Sequence, residues 1–531
     1  MAQHYDADVI VVGSGVIGSN AAHRLALAGK SVIMLEAGQW IPRWKVVENF
    51  RASPRKNNLN DPYPTYPWAM SSFDPDYIEN TGNFNYIPYL LKLVGGTTWH
   101  WAAATWRFLP NDMKMKSLYG VAHDWPLEYS DMEPYYDIAE NNLGVVGSDS
   151  DDQSGGGGSH FPPRSKPYPV TPEAKTHYFK RLEERISPEG YSFIHEPNGR
   201  TNVPWDGRPA CSGNNNCMPV CPIGAMYSGD VHARHAQEAG AKVISEATAY
   251  KLEKGPGNKI VAVHYYTPEG KSVRLTARTF LIAANGIETP KLLLLSDVAN
   301  SSDLVGRNLM DHSGISLQFL ADEPLWPGRG QVQQGAIFKW RDGEFRSRHS
   351  AIKHAPHNNV PNRDVAEMLL KKGIVGPELD KQIRDIASRW VVIETMFETL
   401  PLKSNRMTLS NTKKDALGIP TLSFNYDLDG NYYVERARDL CMDDYRTFVR
   451  AMGGTVINDN TGWQNHAHVM GTVMMGTDAK TSVCNHEGRT WDHDNLFLAT
   501  TGLLPSAAVL NPTLAGTALG LRTADIIAKE V

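Results

Sequence analysis

The sequence predicts an α/β fold in which a domain built on a parallel sheet carries an inserted α+β domain built on an antiparallel sheet. Two observations support this prediction. Residues Asp8–Val12 form a β-branched run that stops at a glycine-rich turn before a helical segment, which is typical of a buried parallel strand. From about Gly314 to Gly453, alternating stretches lie beside helical segments such as Tyr433–Arg450, which is typical of an antiparallel sheet covered on one face.

Length and charge indicate a two-domain protein with a small-molecule substrate. The 531 residues exceed the size of one ordinary core. Lys and Arg number 53 against 58 Asp and Glu, with no long run of one sign, so nothing indicates nucleic-acid binding. No stretch approaches the roughly 18 consecutive apolar residues of a membrane span. Residues 1–5 lack the basic start and apolar segment of a signal peptide, so any export is expected to depend on a partner.

The turn after the first strand has the pattern of a dinucleotide site. Gly13, Gly15 and Gly18 have the spacing that permits a tight turn, close approach of the backbone to a pyrophosphate, and packing of helix on strand. A second strand, Ser31–Leu35, ends at Glu36, about 20 residues further on, where an acidic residue binds a ribose hydroxyl. The order of strand, turn, helix, strand and acidic residue predicts a Rossmann-like domain. It leaves open which dinucleotide is bound.

Three of the five cysteines, Cys211, Cys217 and Cys221, fall on one short Gly- and Asn-rich loop at 208–225. Such residues accept the left-handed turns that let three thiols converge, and a proline after the last cysteine is common in iron–sulfur ligand runs. Zinc would need a fourth ligand, for which His232 is the nearest candidate, or a water. Unligated thiols are the third interpretation. Three cysteines without a fourth favour a three-iron cluster over a four-iron cluster.

Two further strands, expected at 242–250 and 274–283, return the chain to the parallel sheet. The predicted nucleotide-binding domain therefore comprises 1–45, 80–135, 205–313 and 454–531, and the predicted substrate domain comprises 314–453. Segments 46–79 and 136–204 are predicted excursions. Within the second, 153–160 contains four consecutive glycines and is predicted to be a flexible linker, natural or engineered.

Several motifs occur together in an order that resembles the glucose–methanol–choline (GMC) oxidoreductases, over nearly the whole chain. They are the glycine turn with Glu36, Gly95-Gly96-Thr97-Thr98, Ala284–Pro290, Val305–His312, His468-x-x-Gly471-Thr472 and Asn511–Leu514. Within that family, Trp99-His100-Trp101, the cysteine loop and Met310-Asp311-His312 resemble the flavoprotein subunits of bacterial membrane-bound dehydrogenases of sugars, polyols and sugar acids.

The resemblance implies FAD and a three-iron, four-sulfur (3Fe-4S) cluster as cofactors. The cluster would be held by Cys211, Cys217 and Cys221. It also implies a small partner subunit exported by a twin-arginine signal and a multihaem cytochrome c subunit, which would hold the complex at the periplasmic face of the inner membrane. The implied FAD-binding positions are Gly13, Gly15, Gly18, Glu36, Gly95, Gly96, Thr97, Thr98, Asn285, Pro512 and Thr513.

The same resemblance assigns the catalytic residues. Oxidation of an alcohol needs a base for the hydroxyl proton and an acceptor for hydride, which in the family is flavin N5. His468 occupies the position of the base and is favoured over His466, two residues earlier. Asn511 occupies the second catalytic position, where an amide orients the reacting oxygen, and it can also cap the following helix, since the two roles are not exclusive.

The sequence constrains the identity of the substrate and of the electron acceptor less than it constrains the catalytic residues. His466-Ala467 replaces two asparagines, and Pro512 replaces another residue, relative to related sugar dehydrogenases. Gluconate or 2-keto-D-gluconate is therefore the first expectation, with glucose, sorbitol or fructose second. The remaining alternatives are an oxygen-using oxidase of the same family, a nicotinamide-dependent dehydrogenase and a non-catalytic electron-transfer flavoprotein.

Overall fold

The structure is a computed structural model of the chain, and it describes residues 5–53, 59–63, 77–155, 161–359, 362–428 and 432–531. Part of the predicted glycine linker, 156–160, lies outside these ranges, as do 54–58 and 64–76 of the first predicted excursion. Within the described ranges, no helix combines the length and the apolar character that crossing a membrane requires.

The regular elements of the described residues are strands and α-helices, named here in chain order. The strands are β1 (Ala7–Val12), β2 (Val32–Leu35), β3 (Ile78–Asn80), β4 (Ser192–His195), β5 (Lys242–Ile244), β6 (Thr248–Lys254), β7 (Ile260–Tyr266), β8 (Ser272–Leu275), β9 (Ala277–Ile282), β10 (Ser313–Leu320), β11 (Gly335–Phe338), β12 (Ile352–His357), β13 (Trp390–Phe397), β14 (Arg406–Lys414), β15 (Pro420–Asn425), β16 (Thr455–Asn465) and β17 (Leu496–Leu498). The α-helices are α1 (Val16–Leu27), α2 (Arg43–Ala52), α3 (Met115–Tyr119), α4 (Tyr129–Leu143), α5 (His177–Ile186), α6 (Asp230–Glu238), α7 (Asn285–Ser296), α8 (Asn362–Lys371), α9 (Gly376–Arg389), α10 (Tyr432–Ala451) and α11 (Thr513–Glu530).

The predicted parallel sheet is present, with strand order β17-β9-β1-β2-β5. Its central strand β1 pairs in parallel with both neighbours, so that Val9 lies opposite Val32 on one side and Thr279 on the other. Val9, Ile10 and Val11 are completely buried. Val9 and Val11 belong to a core cluster with residues of α1 and α6, and Ile10 belongs to a second cluster with residues of β6 and β7. Helix α1 starts directly after the glycine turn and packs against α6 and α11. This arrangement confirms the Rossmann-like fold class.

The second sheet has the order β16-β10-β13-β12-β11-β4 and is antiparallel throughout. One face packs against helices α5 and α10, with Leu317 and Ile393 in that core. Because side chains alternate along a strand, the neighbouring residues Lys353, His357 and Glu394 point to the opposite face, toward the parallel sheet. This second face forms one wall of the candidate site.

The antiparallel sheet uses more of the chain than the predicted substrate domain at 314–453. Strand β4, from the predicted excursion 136–204, forms one edge of the sheet. Strand β16, from the predicted nucleotide-binding segment 454–531, forms the other edge. Neither edge has a strong apolar alternation, and β16 is mostly exposed, so the sequence carried little signal of its pairing. The predicted strand 242–250 is also divided, because β5 joins the parallel sheet while β6 pairs with β7 in a separate three-stranded sheet.

Candidate active site

A cavity of about 580 Å³ extends from the glycine turn after β1 to the antiparallel sheet. Its volume is within the range of cofactor and ligand sites. Residues separated by up to 500 positions in sequence line it together. The predicted site residues among them are Gly13, Gly15, Glu36, Gly96, Thr97, Thr98, Asn285, His468, Asn511, Pro512 and Thr513. Gly18 and Gly95 act beside this cavity rather than in its lining.

The glycine turn combines a tight backbone with open space. Gly13 has φ +103°, and a Cβ there would lie 2.5 Å from the Ala283 carbonyl oxygen. A Cβ on Gly18 would lie 2.0 Å from the Gly13 oxygen, so only glycine lets α1 pack on the turn. At Gly15, which caps α1, no atom of the described residues lies within 4 Å of a Cβ. The amides at the start of α1 therefore face free space, as a bound pyrophosphate requires.

Glu36 is held at the adjoining end of the cavity, directly after β2. One carboxylate oxygen accepts hydrogen bonds from the Ser14 amide at 3.1 Å and the Ser14 hydroxyl at 2.7 Å, and the other accepts from the Gly38 amide at 2.9 Å. Burial raises the pKa of this carboxyl group, against the effect of these hydrogen bonds. The side chain is thus fixed where a ribose hydroxyl of a dinucleotide would donate to it.

The segment 95–98 lies against the glycine turn. Gly95 and Gly96 both have positive φ, and a Cβ on Gly96 would lie 3.0 Å from the Gly15 Cα atom. The Thr98 hydroxyl donates to the Gly95 carbonyl at 2.7 Å and accepts from the Gly229 amide at 2.9 Å. Two sequence-distant backbones therefore meet closely beside the cavity, and side chains larger than hydrogen would separate them.

The second catalytic candidate, Asn511, contacts His468 directly. Its Nδ2 atom lies 2.9 Å from the Nε2 atom of His468, and its Oδ1 atom accepts a hydrogen bond from the Lys353 ammonium at 3.0 Å. The N-cap of α11 is Pro512, and the α-helix starts at Thr513. The expected second role of Asn511 as the helix cap is wrong, because Pro512 occupies the N-cap position.

Hydrogen-bond directions fix the tautomer of His468. The Nε2 atom of His312 lies 3.0 Å from the carbonyl oxygen of Ala508, which can only accept, so this nitrogen carries the proton. The Nδ1 atom of neutral His312 must then accept from Nδ1–H of His468, 2.7 Å away. Nε2 of His468 is left without a proton and accepts from Asn511. The lone pair on this nitrogen can serve as a general base once a substrate hydroxyl takes the place of the Asn511 amide at Nε2.

Burial reinforces this protonation state. The pKa of His468 is lowered well below its ordinary value by burial, and further by His312, His466 and Lys353. Burial also lowers the pKa of His312 to about 3. Both imidazoles are consequently neutral near pH 7, and the pair carries one proton on each ring.

Asp311 holds the backbone that presents the base. It is fully buried, and its carboxylate accepts from the His468 amide at 2.8 Å, the Tyr86 hydroxyl at 2.7 Å and the Asn465 side chain at 3.1 Å. Between the two histidines, Ala467 has φ +57°, a left-handed conformation unusual for alanine. His466 also lines the cavity, and its Nδ1 atom donates to the His312 carbonyl oxygen, 3.1 Å away. What distinguishes His468 from this ring is its contact with Asn511.

A charged pair lies on the antiparallel-sheet wall of the cavity. Nε2 of His357 is 3.2 Å from a carboxylate oxygen of Glu394, and both residues line the cavity. Burial alone would raise the pKa of Glu394, but His357 lowers it to about 2, and His466 lowers it further. Burial lowers the pKa of His357, but Glu394 raises it by more. The pKa of His357 therefore lies above its ordinary value. The carboxylate is therefore negatively charged within the substrate end of the cavity.

The three loop cysteines share one small buried cluster. Cys217 and Cys221 are buried and Cys211 is half-buried, and all three pack in the same apolar cluster. The buried Arg200 donates from Nη1 to the sulfur of Cys217 at 3.1 Å. Trp101, Ala103 and Met218 belong to this cluster and also line the cavity. The cysteine loop therefore borders the cavity, and its own residue Met218 is part of the lining.

No group of three His, Cys, Asp or Glu residues in the described part of the chain has an arrangement that would hold a metal ion. His232, the candidate fourth ligand, is used elsewhere: its Nδ1 atom lies 3.0 Å from the Tyr227 hydroxyl. Nε and Nη2 of Arg200 are buried and have no hydrogen-bond partner among the described residues. Two unsatisfied donors of a cation beside the thiols fit a site for an anionic, sulfur-rich group.

Comparison with known proteins decides the family. Two models, both described as GMC oxidoreductase, match residues 7–314 and 401–520. The chain belongs to the GMC oxidoreductase family. The predicted resemblance is confirmed, and with it an FAD-dependent oxidoreductase that acts on CH–OH groups.

Relatives and solved structures agree with this assignment. The chain is 41% identical to the fructose dehydrogenase large subunit of Gluconobacter japonicus, over 99% of this chain and 98% of that one. It is 22% identical to the gluconate 2-dehydrogenase flavoprotein of Pantoea cypripedii, over 95% and 91% of the two chains. A formate oxidase structure from Aspergillus oryzae RIB40 has the same fold, with 14% identity, a TM-score of 0.68, and coverage of 99% of this chain and 98% of that chain.

Sequence reasoning missed several residues that the structure places at the site. His312 and Asp311 were noted only as part of a family motif, without a role. Lys353, Glu196 and Glu394 were not considered. Lys353 and Glu394 do stand in strand-like stretches where a charge interrupts apolar residues, which was the available signal. Their convergence depends on the pairing of β12 with β13, which the sequence did not specify.

Proposed function

We propose that this protein is a dehydrogenase of a neutral sugar or polyol, in which His468 accepts the hydroxyl proton while the carbon loses hydride. The observation that carries the proposal is the unprotonated Nε2 atom of His468, 2.9 Å from the Asn511 amide at the wall of the cavity. A substrate hydroxyl that displaces this direct contact would donate its proton to His468 and accept a hydrogen bond from Asn511.

The residues present account for the balance of the reaction. The substrate O–H proton goes to Nε2 of His468, and the C–H electron pair leaves as hydride when the C=O bond forms. FAD, when bound, supplies the hydride acceptor. The Asn511 amide donates to the oxygen on which negative charge develops, an effect that stabilises the transition state more than the ground state. The open space at Gly15 and the fixed carboxylate of Glu36 fit the pyrophosphate and ribose of the cofactor.

Glu394 supports a neutral substrate over a sugar acid. Its carboxylate is ionised and lies at the same end of the cavity as His466 and His468. Sugar hydroxyls would donate to this carboxylate, whereas the carboxylate of gluconate or 2-keto-D-gluconate could only accept. Because His357 balances the charge of Glu394, hydrogen bonding rather than net charge separates the two substrate classes here. The 41% identity to a fructose dehydrogenase subunit points in the same direction. We therefore place fructose, sorbitol or glucose before the sugar acids that the sequence favoured.

The test is anaerobic bleaching of the flavin absorbance by each candidate substrate. We expect a neutral ketose, aldose or polyol to reduce the flavin with a higher kcat/KM than gluconate or 2-keto-D-gluconate. Glu394→Gln should reduce the difference in kcat/KM between neutral substrates and sugar acids. Glu367→Gln, at an exposed position, should leave that difference unchanged. Faster reduction by a sugar acid in the wild-type protein would contradict the neutral substrate. Bleaching by no sugar, polyol or sugar acid would favour the non-catalytic flavoprotein.

We propose further that Cys211, Cys217 and Cys221 hold a 3Fe-4S cluster that receives electrons from the reduced flavin. The shared apolar cluster of the three thiols, the unsatisfied donors of Arg200 and the position of the loop beside the cavity support this proposal. It implies the acceptor expected from the sequence: a multihaem cytochrome c subunit, with a small twin-arginine-exported subunit, at the periplasmic face of the membrane. The relative from Gluconobacter japonicus is named as a large subunit, which favours such an assembly.

An oxidase of the same family is the competing function, because the formate oxidase structure shares the fold. An oxidase needs no route for electrons out of the protein, so the cysteine loop favours a dehydrogenase. Oxygen consumption and anaerobic dye reduction, measured with the same substrate, separate the two. The proposal predicts dye reduction that is much faster than oxygen consumption, and the reverse order would contradict it.

A further inference from the structure

We propose that Lys353 is a positioning residue for the oxidation: its ammonium group fixes the Asn511 amide, so that the substrate oxygen meets one fixed donor and one fixed acceptor. The proposal rests on the roles of His468 and Asn511 proposed above. It adds a residue on the antiparallel sheet, 115 positions before His468, to the machinery of the site.

The geometry leaves the Asn511 side chain one orientation. An ammonium group can only donate, so the atom of Asn511 that lies 3.0 Å from Lys353 Nζ must be the amide oxygen. The amide nitrogen then faces Nε2 of His468, the one nitrogen of that ring that accepts. The directions of these hydrogen bonds are mutually consistent from the Ala508 carbonyl through both histidines to Lys353.

The lysine is buried and paired. Its relative exposure is 1%, and Nζ lies 2.9 Å from a carboxylate oxygen of Glu196, which is itself completely buried. Nζ also lies 4.9 Å from the centre of the buried Trp106 ring. Burial lowers the pKa of Lys353, and Glu196 opposes that effect. The other oxygen of Glu196 has no hydrogen-bond partner among the described residues.

A structural role alone explains this pair poorly. Burying an ion pair is expensive, and replacement by apolar residues of similar volume is often neutral or stabilising. The pair lies on the face of β12 that points toward the cavity, whereas the next residue, His354, points to the helices and pairs with Asp444. The charge of Lys353 is therefore directed at the one amide that contacts the base.

The charge acts in two ways during the reaction. A fixed cation behind Asn511 polarises the amide and favours negative charge on the substrate oxygen as the proton leaves. The same cation disfavours protonation of His468 before substrate binds, because it lowers the pKa of that imidazole. Other groups that face His468 act on the same equilibrium: they are His312, His466 and Asp311 from its own side and Glu394 from β13.

The test uses Lys353→Met and Glu196→Gln in the FAD-loaded protein. Loss of the cation should reduce the limiting rate of anaerobic flavin reduction by about 10- to 100-fold, with a smaller change in substrate affinity, because an oriented group is lost. It should also move the acid limb of kcat/KM to higher pH. Glu196→Gln removes the carboxylate that keeps the buried ammonium group charged, so it should move that limb in the same direction. Lys353→Arg, whose guanidinium stays charged, should restore the profile better than Lys353→Met.

His354→Phe is the matched control on the same strand. It removes a buried, hydrogen-bonded side chain from the other face, so it should lower the melting temperature without shifting the acid limb. If Lys353→Met does not fold, the double variant Lys353→Met/Glu196→Gln removes both charges and carries the same prediction for the rate.

Two outcomes separate this inference from the proposed function. If His468→Ala is inactive while Lys353→Met has the wild-type rate and pH profile, Lys353 has no positioning role and the proposed function stands. If His468→Ala itself reduces the flavin at the wild-type rate, the proposed function fails first. An acid limb that stays at the wild-type position in both Lys353→Met and Glu196→Gln would also overturn the inference.

Discussion

The Nδ1 atoms of His312 and His468 lie 2.7 Å apart, although 156 positions separate the two residues in the sequence. Two nitrogens at that distance share one proton, and the carbonyl of Ala508 decides which ring provides it. The second imidazole therefore acts on the first by orienting it. This contact turns His468 from one of 18 histidines into a ring with a defined tautomer and an available lone pair.

The pH dependence of substrate oxidation follows from this environment. His468 must be neutral to accept a proton, and its pKa lies well below the ordinary value of about 6.5. As the pH falls through 6.5, kcat/KM should stay nearly constant, and it should decline only in more acidic solution, where His468 becomes protonated. The measurement is anaerobic flavin reduction across the pH range. An acid limb with a midpoint at or above 6.5 would be inconsistent with this buried, neutral base.

Two glycines of the same turn should respond differently to alanine. Gly15→Ala should fold normally, because the backbone at Gly15 has φ −64° and an added Cβ meets no described atom within 4 Å. The same Cβ enters the space assigned to the pyrophosphate, so the substitution should weaken FAD binding. Gly18→Ala should lower the melting temperature of the apoprotein itself, because a Cβ there would lie 2.0 Å from the Gly13 oxygen. Flavin content and thermal melting separate the two effects. Full FAD retention in Gly15→Ala would refute the pyrophosphate position.

The cysteine loop should be needed for the second half-reaction only. Cys217→Ser should leave flavin reduction by substrate intact and abolish electron transfer to a haem acceptor, because the cluster lies after the flavin in the proposed order. Cys484, buried in the main core and outside the loop, provides the control. Cys484→Ser should change neither flavin reduction by substrate nor electron transfer to the haem acceptor. Iron and sulfide content and the electron paramagnetic resonance spectrum report the cluster. Equal loss of both half-reactions in Cys217→Ser would argue against this role.

The sequence predicted the parallel sheet well and the second sheet only in outline. The residues of β1 are apolar because both faces of the strand are buried, so this pattern identified the strand. The glycine turn was identified by its position after this strand, and Glu36 by its position after the next one. Strand β16 is exposed along most of its length, and its pairing with β10 depends on contacts that no local pattern records.

The candidate site shows the same division. His468 and Asn511 stand in recognisable motifs, whereas Lys353 and Glu196 become neighbours only when β12 pairs within a sheet that also includes β4, the strand directly before Glu196. The sequence favoured a sugar acid because it compared residues next to the base along the chain. The ionised Glu394 lies across the cavity on a different strand, so it could not enter that comparison.

The rate of anaerobic flavin reduction in His468→Ala tests the central claim most directly. The account predicts that this variant keeps its FAD but is reduced by substrate about 100-fold more slowly, or slower still, because the general base is lost. His466→Ala, which removes the neighbouring imidazole of the same loop, should retain much more of the rate. A near-normal rate of flavin reduction in His468→Ala would contradict the account.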